Sequence, residues 1–146
     1  MIYTPLTQAA MNMAYRAHHG QADKAGVPYI FHPIHLAEQM TDEATTCAAL
    51  LHDILEDTMY SINDVAEKFP PEIVEAVSLL THGKEDYYDY IRAIKGNPIA
   101  KAVKLADVEH NLDESRMQYA RSITDSQKVW YKEKYSRAKA ILLDEK

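Results

Sequence analysis

The chain has 146 residues, 47% of them hydrophobic and 26% charged, a balance that excludes extended disorder and suffices to bury roughly two thirds of the surface of one domain. Its 22 acidic and 16 basic residues give a net charge of −6, which argues against a polymeric nucleic acid or a membrane surface as partner and leaves room for a local cationic pocket. Only four glycines, in a sequence rich in Ala, Glu, Lys and Leu, favour helix throughout.

Met1-Ile2-Tyr3-Thr4-Pro5 has neither a basic nor an apolar leader, and no run reaches membrane-spanning length, so the expected location is the cytoplasm. Thr4 with Pro5 reads as a helix start, and Leu6, Ala9, Ala10, Met13, Ala14 and Ala17 follow helical spacing to a stop at Gly20. A loop over residues 21–29 leads into a second helix, with Pro33 in its first turn, ending near Met40. Asp42 caps a third helix expected to run to about Glu56. Its one cysteine, Cys47, sits among small apolar residues as a packed thiol and allows no internal disulfide.

Ser61 and Asp64 form a capping-box pattern for a short helix through Lys68, which Pro70-Pro71 break. Residues 72–80 read as a helix with Ile73, Val77 and Leu80 inward, and 81–86 as a polar loop. A helix over 87–95 is closed by Gly96-Asn97. Pro98 opens the next, to about Leu112, with Ile99, Val103 and Ala106 inward. Residues 113–125 are less regular. The final helix, about 126–144, carries Val129, Trp130, Ala138, Ile141 and Leu142 as its apolar stripe. With no convincing strand, repeat or linker, the expectation is a single all-α domain over 1–146.

The chemistry centres on Leu51-His52-Asp53-Ile54-Leu55-Glu56-Asp57. At about 100° per residue on one helix, His52, Asp53, Glu56 and Asp57 fit within an arc of about 140°. Three carboxylates so crowded are costly to bury without a cation, and the apolar Thr46–Leu51 run before them points to a buried helix. Among the seven histidines, His18 and His19 read as caps at a helix end, His82 as solvated, and His110 as packing. His32 and His35 lie one turn apart, and either can face the His52-Asp53 pair; His32 stands out for its fixed place between Phe31 and Pro33. Asp107, in the apolar run Val103–Val108, needs a partner, and Lys104 and Asn111 share its helical stripe. His32, His52, Asp53 and Asp107 then supply two imidazoles and two carboxylates. That donor set suits Mn²⁺, Fe²⁺, Zn²⁺, Co²⁺ or Ni²⁺ and leaves positions open for water and substrate.

The order His32…His52-Asp53…Asp107 resembles the H…HD…D signature of the HD-domain phosphohydrolases. Three blocks make the likeness narrower: Ala17-His18-His19-Gly20-Gln21 leading to Pro28-Tyr29-Ile30-Phe31-His32-Pro33, Ala49 to Thr58, and Val103-Lys104-Leu105-Ala106-Asp107 with His110-Asn111. Together they are similar to the hydrolase domain of RelA/SpoT-type alarmone enzymes and of their small single-domain relatives, the metazoan SpoT homologues. The resemblance implies an all-α HD helical bundle holding one Mn²⁺ on His32, His52, Asp53 and Asp107. It implies Glu56 and Asp57 at the attacking water, and loss of pyrophosphate from the 3′ position of guanosine tetra- or pentaphosphate. Lys24 and Lys104 are the candidate phosphate contacts, and Asn111 a ribose or phosphate contact. After residue 112 too little chain follows for a synthetase domain. The family usually has a base-stacking Arg in the loop after Gly-Gln, where this chain has Asp23, and often Arg-Leu where it has Val108-Glu109. The expected partner is therefore a small nucleotide. An HD hydrolase of another phosphoester and a non-catalytic nucleotide sensor are the alternatives, and the sequence does not specify an oligomeric state.

Overall fold

The structure, a computed structural model, describes residues 1–144. Among these, nine α-helices and one 3₁₀ turn follow in order: α1 Pro5–Ala17, α2 Phe31–Glu38, α3 Glu43–Leu51, α4 Ile54–Asp57, α5 Ile62–Lys68, α6 Pro71–Leu79, α7 Tyr87–Lys95, α8 Pro98–Asn111, the 3₁₀ turn Glu114–Arg116, and α9 Asp125–Leu143. The only extended pairing among the described residues is an isolated bridge between Ala22 and Pro28. The protein is all-α, as its composition and periodicity suggest.

Local chemistry sets most boundaries. Thr4 and Thr7 cap α1 reciprocally, Ser61 and Asp64 do the same for α5, and Thr124 and Gln127 for α9. Asp42 accepts from the Thr45 N–H at the start of α3, and Asn97 from the Ala100 N–H before α8. Gly20 and Gly26, at φ 83° and 85°, take the left-handed turns that enter and shape the loop between α1 and α2. In that loop the Asp23 carboxylate accepts from the N–H groups of Ala25 and Val27, tying the loop to itself.

Helix α3 is the axis of the fold. Every residue from Thr45 to Leu51 is buried, because α1, α2, α6 and α8 pack around it. A helix without a wet face is held by packing rather than by propensity. Helix α8 lies against α2 and α3 and buries Ala100, Val103 and Val108, and α9 closes the bundle against α7 and α8.

Two expectations need correction. The third helix does not run to Glu56: it ends at Leu51, and a four-residue helix restarts at Ile54. The His52 ring donates its Nδ1 proton to the Ala49 carbonyl, 2.7 Å away, while Asp53 leaves helical geometry at φ −106°, ψ 6°. The acidic residues therefore gather at a corner between two helices rather than on one face. In α9, Val129 and Trp130 are exposed at 58% and 56%. The inward stripe is Tyr131, Tyr135, Ala138 and Leu142, one helical repeat that leaves those two apolar residues outside.

Candidate metal centre and active site

The site is assembled from α2, the α3–α4 corner and α8. His32, fixed in the first turn of α2, places Nε2 2.9 Å from Asp107 Oδ1, although 75 positions separate them in sequence. His52 Nε2 lies 3.0 Å from Asp53 Oδ2 and 3.9 Å from Asp107 Oδ1. One nitrogen or oxygen from each of His32, His52 and Asp53 falls within 4.8 Å of the others, and the same holds for Asp53, Glu56 and Asp57. Asp53 thus belongs to both groups.

The arrangement fits a divalent cation on its own evidence. His52 is 1% exposed, and its Nε2, though close to Asp53, is aligned in no hydrogen bond. A buried imidazole nitrogen without an aligned hydrogen bond among the described residues, beside carboxylates and a second imidazole, suits a metal ion of borderline hardness. His32, His52, Asp53 and Asp107 are the residues that could hold it.

Their surroundings keep the carboxylates charged. Burial alone would raise the Asp53 carboxyl, but the His52 ring outweighs it and brings the group to about 2. In the same way burial opposes a charged His52, yet Asp53, with Asp107 behind, lifts it to about 9. Asp107 is also buried, and Lys104, with Nζ 2.8 Å from its Oδ2, holds it well below the ordinary range. Burial would lower Lys104, but Asp107 keeps it well above its usual value. Lys104 therefore stands as the counter-ion of Asp107. Asn111 Nδ2 donates to Asp107 Oδ1 at 3.2 Å.

Glu56 and Asp57 sit at the solvent side. Desolvation pushes the Glu56 carboxyl up against the opposing pull of the His82 backbone N–H, which donates to it. Desolvation and the Asp53 charge raise Asp57 as well. Lys24, at the rim, has Nζ 3.6 Å from the centre of the Tyr131 ring. Lys24, Asn111, Tyr131 and Tyr135 line a cavity of about 650 Å³, and Asn111 joins that cavity to Asp107.

The family described as "HD domain" matches residues 10–86, more than half of the chain. The chain belongs to the HD-domain family. As an HD domain it is 35% identical over 120 residues to the guanosine-3′,5′-bis(diphosphate) 3′-pyrophosphohydrolase of Borreliella burgdorferi, covering 70% of this chain and 18% of that protein. It is 37% identical over 116 residues to the bifunctional (p)ppGpp synthase/hydrolase SpoT of Escherichia coli K12, covering 68% of this chain and 16% of the other. The chain thus spans less than a fifth of the length of these curated relatives. Among solved structures it matches a metazoan ortholog of SpoT described as hydrolysing ppGpp and acting in starvation responses. That match has a TM-score of 0.80 at 26% identity and covers 98% of this chain and 88% of the other. The HD match stops before Asp107, and α8 joins the site through the contact of Asp107 with His32.

Several contacts were not legible in the sequence. Tyr29 donates its hydroxyl to Asp53, and burial together with that carboxylate holds the phenol well above its usual range, so it stays a donor. His110, read as packing, bonds through Nδ1 to His32 Nδ1 at 2.7 Å. His35 stacks on His110 at 3.9 Å and does not enter the centre itself. His18, expected to cap the helix end with its ring, instead turns Nδ1 to Gln21 Oε1 at 2.9 Å, and its backbone N–H donates to the Ala14 carbonyl. His82, expected to be solvated, is exposed and stacks on Tyr90. Asp23 pairs with Arg116 at 3.5 Å.

Proposed function

We propose that this HD domain is a cytoplasmic, Mn²⁺-dependent phosphohydrolase that removes pyrophosphate from the 3′ position of guanosine tetra- or pentaphosphate. The observation that carries the reading is the α3–α4 corner, where Asp53 belongs both to the His32–His52 group and to the Glu56–Asp57 group. A mere binding site has no use for two further carboxylates beside the ligands. The names of the relatives and of the structural match favour this substrate over other nucleotides.

In this reading His32, His52, Asp53 and Asp107 hold the cation. When bound, Mn²⁺ supplies Lewis acidity at a phosphoryl oxygen and a more acidic water. Glu56 takes the proton of the attacking water, with Asp57 orienting that water. The oxygen of the water bonds to the phosphorus attached to O3′, the P–O3′ bond breaks, and O3′ leaves with a proton as pyrophosphate is released. The rest is positioning and charge neutralisation. Lys24 and Asn111 contact the nucleotide in the 650 Å³ cavity, and Lys104 adds positive charge behind Asp107.

The test is to incubate Mn²⁺-loaded protein with a panel of nucleotides and read released phosphate and pyrophosphate. Pyrophosphate from (p)ppGpp is expected, lost on chelation and on Asp53→Ala. Release from a different nucleotide would move the substrate within the same reaction class. Binding without turnover across the panel would make the chain a sensor and overturn the proposal.

The Glu56 carboxyl carries a second expectation. In the metal-free protein desolvation holds it above the ordinary 4.5, so carbon-13 spectra of its side chain should show it titrating above that pH. Titration at or below 4.5 would mean that the corner does not desolvate it.

A further inference from the structure

Histidine offers two ring nitrogens, and a nitrogen that gives its lone pair to a cation cannot carry a proton. The remaining proton sits on the other nitrogen and needs an acceptor that fixes the plane of the ring. In His32 the nitrogen facing the centre is Nε2, beside Asp107. The other, Nδ1, meets no carboxylate or carbonyl among the described residues: it is 2.7 Å from Nδ1 of His110. One of the two must donate and the other accept.

His110 is itself tightly held. Its ring lies edge to edge with His32 and nearly in the same plane, at 7° and 5.0 Å between centres. His35 covers another part of the ring at 3.9 Å. The His110 carbonyl accepts from Arg116 Nη1 at 2.9 Å, and Asp23 holds that guanidinium from the loop between α1 and α2. A chain of contacts therefore runs from Asp23 through Arg116 and His110 to His32.

We propose that His110 is a positioning residue for His32: its unprotonated Nδ1 accepts the His32 Nδ1 proton, presenting Nε2 to the cation in one tautomer and one orientation. The proposal rests on the reading of His32 as a metal ligand.

The test is metal affinity, measured by calorimetry with Mn²⁺ and with Zn²⁺ on wild type, His110→Phe and His110→Asn. Phenylalanine keeps an aromatic ring against His35 but has no acceptor, whereas asparagine restores an acceptor near the place of Nδ1. Affinity is expected to fall about 10–100-fold in His110→Phe and to return towards wild type in His110→Asn. Nitrogen-15 spectra of the Zn²⁺-loaded wild type should show the His32 proton on Nδ1. Wild-type affinity in His110→Phe, or an equal loss in both variants, would overturn the proposal, as would a His32 proton on Nε2. Absence of metal binding by the wild type would instead overturn the reading on which it rests.

Discussion

Glu56→Gln is expected to lower kcat by about 10²–10⁴-fold while leaving Mn²⁺ affinity intact. Glutamine matches glutamate in shape and keeps an oxygen for the His82 N–H, so the loop over 81–86 retains its anchor. What it cannot do is take a proton from water. Pyrophosphate release at saturating substrate gives kcat, and calorimetry gives metal binding. A loss of only a few-fold would transfer the role of base to Asp57, whose carboxylate lies within 4.8 Å of the same group.

Asp107→Ala is expected to destabilise the fold by about 3–5 kcal/mol, because it leaves Lys104 buried without its partner. The two side chains are 11% and 8% exposed, and the ammonium has no second carboxylate within 4 Å among the described residues. Lys104→Met in the same background should recover much of that loss, since a linear apolar chain of similar length removes the stranded charge. Urea unfolding of the single and double variants measures both effects. The double variant should fold yet bind Mn²⁺ weakly, which separates the part of Asp107 in the fold from its part in the centre. A single variant as stable as wild type would mean that the pair carries no such burden.

Much of this was legible in the sequence because it is local. Apart from the break between α3 and α4, caps, prolines and apolar spacing located the helices to within a turn, and His32, His52, Asp53 and Asp107 lie close together in the structure. What the sequence hid is set by tertiary contact. The helix break at Asp53 follows from a ring–carbonyl bond that no propensity encodes. Lys104 reads as a free cation until Asp107 claims it. Tyr29 and His110 lie 24 and 78 positions from the residues they bond, with no spacing to betray the pairing. In α9 the exposed Val129 and Trp130 imitate an inward stripe, because hydrophobicity alone does not fix the phase of a helix with two plausible faces.

The all-round burial of α3 has a consequence for how such a protein can change. Its last residue precedes His52, and every side chain from Thr45 on is locked by neighbours, so the corner that would do the cutting is hung from the stiffest part of the molecule. Lys24 and Tyr131, by contrast, come from a loop and from the first two turns of α9, where both line the cavity rather than the core around α3. Selection could thus retune which molecule is held without touching the machinery that breaks it, and drift in preference would be recorded first along that wall.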